Sequence, residues 1–360
     1  MSCHPIRRTL VRSGTALLVA VSGVGVRSVD AAPQGADGPR VVTSLTTYAS
    51  IAREIVGDRG EVTSIANGAE NPHFVTPRPS LVLQLRRADM FVVTGLDLEL
   101  WIPAIVDRAN NPKVRPGSAG YVSASAGIDL LDVPESVSRA GGDIHAFGNP
   151  HIWTSPLNAI TIGANILAGL ERIAPEDATY YEGRYIRWKE RILRALTGDE
   201  IVDLLGVDAV FDLARSHRLV SFLGSQTYEG SSLMDRLGGW LGRAAPFRGG
   251  HMVCYHKEWD YFSRAFDVTC DDYVEPKPGI PPTPQHVADV IELMKRRHLH
   301  VLLSTNYFDR NQVLSVAERT NATAVIVPSN TFGAPGVETY EALVNLWVEE
   351  LATAFGRAGR

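Results

Sequence analysis

The sequence lacks three features: a block of basic residues, a long apolar run beyond its N-terminal region, and a cysteine placed for lipid attachment. With a formal net charge of -5 and no basic block, nucleic acid is excluded as an expected partner. No later apolar run reaches the roughly 20 residues of a transmembrane helix. Cys3 precedes the N-terminal apolar segment, so a lipoprotein signal is excluded. These absences predict a soluble protein without a membrane anchor.

The N-terminus has the pattern of a secretory signal peptide. Arg7, Arg8 and Arg12 are followed by a short apolar stretch over 15–26 and then by small residues suited to a cleavage site. This order is typical of a signal peptide, which we assign to residues 1–32. We therefore expect a periplasmic protein. The Arg7-Arg8 pair leaves twin-arginine export open beside the Sec route.

Only two cysteines follow the predicted signal peptide. Cys254 and Cys270 both lie in apolar, strand-like runs. In an oxidising compartment the two could form a disulfide, whereas burial in strands would equally suit two free thiols. The sequence leaves both possibilities open.

Alternating strand and helix patterns predict an α/β protein with two lobes, each a parallel sheet flanked by helices. We assign the lobes to residues 40–172 and 249–356. A helix over 175–197 connects them, because about 22 residues at 1.5 Å each span ~33 Å. Residues 198–248 are predicted to be a helical insertion. Residues 116–148, rich in Ser, Ala and Gly, are predicted to be a surface loop.

Three histidines lie where a strand or loop meets the next element. His73 and His151 each end an Asn-Pro-His tripeptide, and His256 directly follows an apolar strand. Ligands of α/β sheets collect at the carboxyl ends of strands, and imidazole nitrogens suit zinc. The three rings are therefore predicted to meet on one metal ion between the lobes. His145 lies close enough to His151 in sequence to compete for its role.

Four stretches resemble the cluster A-I solute-binding proteins of metal ABC transporters, the zinc- and manganese-binding group. They begin at His73, Ala88, Asn149 and His256 and read HFVTPRPS, ADMFVVTGLDLE, NPHIW and HKEWDYF. The resemblance implies two α/β lobes joined by one long rigid helix, with the metal between the lobes. It carries the ligand role onto His73, His151 and His256. A histidine rather than a glutamate at the third place implies zinc, with manganese the weaker expectation.

The fourth ligand departs from the pattern of that group. Where the family usually has an aspartate, this chain reads Ser329-Asn330. We expect Glu275, at the end of a predicted strand, to be the fourth ligand, with Asp309 or a water as alternatives. The His-rich loop of many zinc-binding members is absent, since the loop over 116–148 contains only His145.

The predicted function is capture of zinc in the periplasm and its delivery to an ABC permease in the inner membrane. We expect a monomer that catalyses no reaction. Protonated imidazoles would weaken binding below the reference histidine pKa of ~6.5. The alternative is a periplasmic zinc hydrolase with an open coordination position. The sequence contains no His-Glu-x-x-His or other hydrolase signature to favour it.

Overall fold

The structure is a computed structural model that describes residues 38–134, 145–277 and 279–358. The predicted signal peptide, residues 1–32, lies outside the described residues. Two four-stranded parallel sheets flanked by helices form the architecture, as predicted. Within the described ranges, no helix is both long and apolar enough to cross a membrane.

The first sheet, with its helices, forms the N-terminal lobe and has the strand order β2-β1-β3-β4. Its strands are β1 (Arg40–Thr43), β2 (Glu61–Ser64), β3 (Met90–Val93) and β4 (Tyr121–Ser123). Every residue of β3 is buried, as expected for a parallel strand covered on both faces. The loop predicted over 116–148 is corrected by β4, which pairs with β3 inside that stretch. Three residues are too few for a strand periodicity to be visible in the sequence.

Helices of the N-terminal lobe have boundaries that follow from local sequence. They are α1 (Thr46–Val56), α2 (Pro79–Arg86), α3 (Ile102–Ala109) and α4 (Pro156–Ile173). Helix α1 ends at Gly57, whose φ of 60° suits glycine at a helix C-terminus. Helices α2 and α4 both begin with proline, which is favoured in the first turn.

A 20-residue helix, α5 (Ala178–Thr197), connects the two lobes. Its buried side chains Tyr181, Trp188 and Ile192 recur at helical spacing. It packs against α1 and α4 in the N-terminal lobe and against α9 (Gly239–Arg243), which precedes the second sheet. At 1.5 Å per residue the helix is about 30 Å long, which is enough to contact both lobes.

The segment between α5 and the second sheet is largely helical. Before α9 it contains α6 (Asp199–Leu205), α7 (Val207–Arg215) and α8 (Leu219–Ser225). A small hairpin follows, in which β5 (Thr227–Tyr228) pairs with β6 (Ser231–Ser232). No pattern in the sequence predicted this hairpin. Its two-residue turn, Glu229-Gly230, has positive φ at both positions, the conformation that tight hairpins favour.

The second sheet, with its helices, forms the C-terminal lobe and has the strand order β10-β9-β7-β8. Its strands are β7 (Gly250–Cys254), β8 (Val268–Tyr273), β9 (Val301–Thr305) and β10 (Thr323–Val327). Its helices are α10 (Asp260–Phe266), α11 (Pro284–Arg297), α12 (Arg310–Thr320) and α13 (Tyr340–Ala358). A disulfide between Cys254 and Cys270 joins β7 to β8 and resolves the open question about these cysteines.

The lobes meet through buried polar contacts next to the carboxyl ends of β1 and β10. Thr46 Oγ1 donates to the carbonyl oxygen of Thr331 at 2.6 Å, and Thr47 Oγ1 donates to Asn330 Oδ1 at 2.8 Å. Trp153 Nε1 donates to the carbonyl oxygen of Ser329 at 2.8 Å. All these side chains are buried. The contacts hold the strand ends of both sheets against one cleft, where residues from the two lobes can converge.

Candidate metal centre

Four histidines converge between the lobes. His73, His145, His151 and His256 each offer one ring nitrogen, and these four atoms all lie within 4.8 Å of one another. Nε2 of His73 and Nε2 of His145 are 3.3 Å apart. Two nitrogens bound to one tetrahedral zinc at 2.0–2.1 Å would be about 3.3 Å apart. The cluster therefore needs only a small contraction to hold one ion.

Both Asn-Pro-His tripeptides use the same hydrogen bonds to orient their histidine. Asn71 Oδ1 accepts from the backbone N–H of His73 at 3.0 Å and lies 2.9 Å from its Nδ1. Asn149 Oδ1 makes the equivalent contacts with His151 at 3.1 Å and 2.9 Å. A carboxamide oxygen at Nδ1 requires the proton to be on Nδ1, so the Nε2 lone pair faces the cluster.

His256 is oriented by the backbone instead of by an asparagine. It directly follows β7 and Tyr255, and its Nδ1 donates to the carbonyl oxygen of Glu275 at 2.8 Å. The carbonyl lies just beyond the end of β8, the strand paired with β7. Three of the four rings therefore have Nδ1 held by an oxygen, the arrangement that outer-shell partners of metal-bound histidines usually provide.

Two of the inward-facing nitrogens are buried without a partner. Nε2 of His151 and Nε2 of His256 are inaccessible to solvent and accept no hydrogen bond from any described residue. Their side chains are 0% and 2% exposed. A buried polar atom without a partner costs about 1–3 kcal/mol. A cation at the centre of the cluster would remove that penalty.

The cluster is neutral in the absence of a cation. Burial lowers the pKa of His145 to about 4 and, aided by the nearby His145 and Lys257, lowers the pKa of His256 to about 4 as well. Burial, followed by the neighbouring imidazoles, places the pKa values of His73 and His151 well below the usual range. At neutral pH all four rings therefore present lone pairs and carry no protons to displace.

Glu275 and Asp309, the two carboxylates considered from the sequence, lie outside this group of four nitrogens. Glu275 Oε1 accepts from the backbone N–H of Gly279 at 3.1 Å, and only its carbonyl contacts a cluster histidine. Asp309 is exposed and caps α12 by accepting from the backbone N–H of Asn311. Asn330, at the place of the usual family aspartate, accepts from Thr47 instead.

The structure brings together the three histidines predicted from motifs and adds His145. His145 precedes His151 by six residues, and its carbonyl oxygen accepts from the backbone N–H of Gly148. The sequence signal for this residue was its closeness to Asn-Pro-His, which was enough to make it a candidate but not to rank it above Glu275. The remaining described histidines lie outside the cluster: His217, His251, His286, His298 and His300.

A family model described as "Zinc-uptake complex component A periplasmic" (ZnuA) matches residues 41–197 and 240–354. The match covers more than half of the chain and includes both sheets, α5 and all four clustered histidines. It leaves out residues 198–239, which contain α6, α7, α8 and the small hairpin.

Similar curated proteins differ in the metal that their names specify. The high-affinity zinc uptake system protein ZnuA of Bacillus subtilis (strain 168) is 31% identical over 171 residues, 46% of this chain and 51% of that protein. The iron-binding protein YfeA of Yersinia pestis is 25% identical over 325 residues, 88% of this chain and 86% of that protein. The alignment with the first of these relatives spans about half of its length.

A solved structure of a zinc-bound ZnuA deletion mutant has the same fold. The TM-score is 0.63 at 17% identity, with 88% of this chain and 98% of that chain covered. At this level of identity the likeness shows the arrangement of lobes and sheets.

Proposed function

The chain belongs to the ZnuA family of periplasmic zinc-uptake components, and on that premise we propose that it captures zinc between its lobes for delivery to an ABC permease. The observation that supports this proposal is the convergence of four imidazole nitrogens, two of them buried and without a partner. His73, His145, His151 and His256 are the proposed ligands. His145 takes the place that the sequence assigned to Glu275.

Zinc is the proposed cargo because the donor set contains only imidazole nitrogens. Manganese prefers carboxylate, carbonyl and water oxygens, and none of the described carboxylates is a member of the cluster. Zinc accepts four nitrogen donors in a tetrahedral shell. Because a similar protein is named for iron, the metal preference should be measured by direct competition between zinc, manganese and ferrous iron.

The test is zinc binding by the metal-free protein, measured by isothermal titration. His151→Ala should lower the zinc affinity at least about 100-fold, because even partners one shell further out contribute 10–100-fold. His298→Asn is the matched control, since His298 is exposed and its φ of 54° suits asparagine. Unchanged affinity in His151→Ala would rule out the proposed centre. Tighter binding of manganese or ferrous iron than of zinc would reassign the cargo.

The same donor set argues against the hydrolase alternative. A catalytic zinc usually has three protein ligands and one open position for water. Four imidazoles would fill a tetrahedral shell, so we propose that the chain is not an enzyme. The zinc-loaded protein should hydrolyse p-nitrophenyl acetate no faster than the metal-free protein does.

Export and partnership follow from the family and from the signal-like N-terminus. We propose that residues 1–32 direct the chain to the periplasm, where it acts as a monomer beside an inner-membrane permease. Deleting the gene for the chain should reduce cellular uptake of labelled zinc when zinc is scarce. Light scattering after gel filtration should give the mass of one chain, whereas the mass of a dimer would contradict the monomer.

A further inference from the structure

We propose that Asp132 and Asp260 form an acid pair that positions His151, acting through the side chain of Asn149. The inference rests on the proposed metal-binding function of the cluster. Neither aspartate touches a cluster histidine through a hydrogen bond. Both instead hold the amide group that holds the His151 ring, so they are positioning residues and not ligands.

Asn149 is the central element of this arrangement. Its Oδ1 accepts from the backbone and ring of His151, as described above. Its Nδ2 lies within hydrogen-bond distance of Asp132 Oδ2 at 3.0 Å, Asp260 Oδ2 at 3.1 Å and the carbonyl oxygen of Lys257 at 2.7 Å. The side chain is only 3% exposed. These contacts fix which end of the amide faces His151.

The other Asn-Pro-His tripeptide provides an internal comparison. Asn71 contacts His73 with the same geometry, but its Nδ2 has no hydrogen-bond partner among the described residues. Of the two asparagines, only Asn149 therefore has its Nδ2 held by hydrogen bonds among the described residues. Such an anchor is not a general requirement of the tripeptide, which indicates an added role at His151.

The two carboxyl groups influence each other's ionisation. Their oxygens converge on the same nitrogen, so two full negative charges would repel at short range. Burial, together with Asp132, raises the pKa of Asp260 to about 8. Partial desolvation would raise the pKa of Asp132, but hydrogen bonds from Asp260 and Asn149 and the charge of Lys257 outweigh it, so the pKa is lowered overall. Tyr273 Oη donates to the other oxygen of Asp260 at 2.6 Å, and the Lys257 ammonium faces the pair.

The pair also joins the two lobes behind the cluster. Asp132 follows β4 in the N-terminal lobe, whereas Asp260 is the first residue of α10 in the C-terminal lobe. The backbone N–H of Asn149 donates to the carbonyl oxygen of Leu131 at 2.7 Å. Tyr261, the next residue of α10, donates to the carbonyl oxygen of Asn149 at 2.8 Å. Loss of the pair should therefore loosen the segment that supplies His151.

The test compares Asp260→Ala with Asp260→Asn in the full-length protein. The asparagine keeps an oxygen that can accept from Asn149 and carries no negative charge, so it imitates the protonated acid. We expect Asp260→Ala to weaken zinc binding about 10–100-fold at pH 7. Asp260→Asn should stay within about threefold of the unchanged protein. Asp289→Ala, which removes an exposed carboxylate from α11, is the control for an aspartate-to-alanine substitution away from Asn149.

Imidazole NMR of the metal-free protein separates positioning from a general loss of structure. In Asp260→Ala the Nδ1–H signal of His151 should broaden or disappear, while that of His73, held by Asn71, should persist. This readout does not depend on zinc binding, so it tests the pair even if the proposed function fails. The inference is overturned if Asp260→Ala binds zinc normally, if Asp260→Asn is equally impaired, or if the His73 and His151 signals change together.

Discussion

The most discriminating prediction concerns the effect of acid on zinc capture. Imidazoles with the reference pKa of ~6.5 would be about 90% protonated at pH 5.5, and each would weaken binding roughly tenfold. Four such rings would lower the affinity by ~10⁴ between pH 7.5 and 5.5. The structure instead lowers the pKa of His145 and of His256 to about 4, and those of His73 and His151 well below the reference value.

The zinc affinity of the folded protein should therefore change by less than about threefold between pH 7.5 and 5.5. The rings of His145 and His256, with pKa values near 4, are ~3% protonated at pH 5.5, and the pKa values of His73 and His151 are also lowered. The fall should begin near pH 4, not near 6.5 as the sequence alone predicted. Isothermal titration at pH 6.5 in buffers of different ionisation enthalpy counts the protons released per zinc. We expect a value near zero, whereas four reference imidazoles would release about two.

Unlike the zinc affinity, the stability of the metal-free protein should fall as the pH is lowered from 7 to 5. His256 has a lower pKa in the folded than in the unfolded chain, so the unfolded chain binds more protons between pH 4 and 6.5. Its contribution is complete above pH 6.5 and is lost as the pH falls towards 4. From pH 7 to 5 this ring should lower the free energy of unfolding by about 2 kcal/mol, which urea unfolding can measure.

The outcome that would refute the affinity prediction is release of about two protons per zinc at pH 6.5, or a 10⁴-fold loss of zinc affinity at pH 5.5. Either result would show that these rings are not buried in solution.

Three further predictions test the disulfide, the contact between the lobes at Gly68, and the asparagine that orients His73. Reduction of the Cys254–Cys270 disulfide should lower the free energy of unfolding by about 3 kcal/mol, seen in urea melts with and without reductant; equal melts would contradict it. Gly68→Ala places a methyl group against backbone atoms that follow β10, so its melting temperature should fall, and an unchanged value would mean that the lobes separate freely there. Asn71→Ala removes the oxygen that accepts from His73 Nδ1 and should weaken zinc binding about 10–100-fold. Normal binding would show that this hydrogen bond is not needed to orient the His73 ring.

Much of the fold could be predicted because its signals are local. Proline begins α11 (Pro284–Arg297) and a basic last turn ends it, which are start and stop signals that the sequence itself carries. Buried parallel strands are apolar runs, and β3 is the plainest of them. By contrast, β4 and the hairpin at Glu229-Gly230 are too short to leave a periodic pattern. Their formation depends on neighbours distant in sequence or on turn geometry.

In the candidate site, too, local contacts could be predicted and long-range contacts could not. In each Asn-Pro-His tripeptide the asparagine side chain contacts the histidine two positions later in the chain. The roles of Glu275 and His145 depend instead on how distant segments meet. At the end of β8 the chain turns so that the Glu275 carbonyl faces His256 and its carboxylate faces Gly279. No local pattern distinguishes these two outcomes.

The sequence by itself determined the alternation of strands and helices, the long connecting helix, and the histidines whose neighbours hold the ring nitrogen in place. Those features arise from contacts between residues close in the chain, which a linear pattern records. Only the tertiary structure decided that His145 joins the other three rings, that the two cysteines pair, and that burial lowers the pKa values of the four imidazoles. Each of these depends on burial and on distances between segments far apart in sequence, and both exist only once the lobes have packed together.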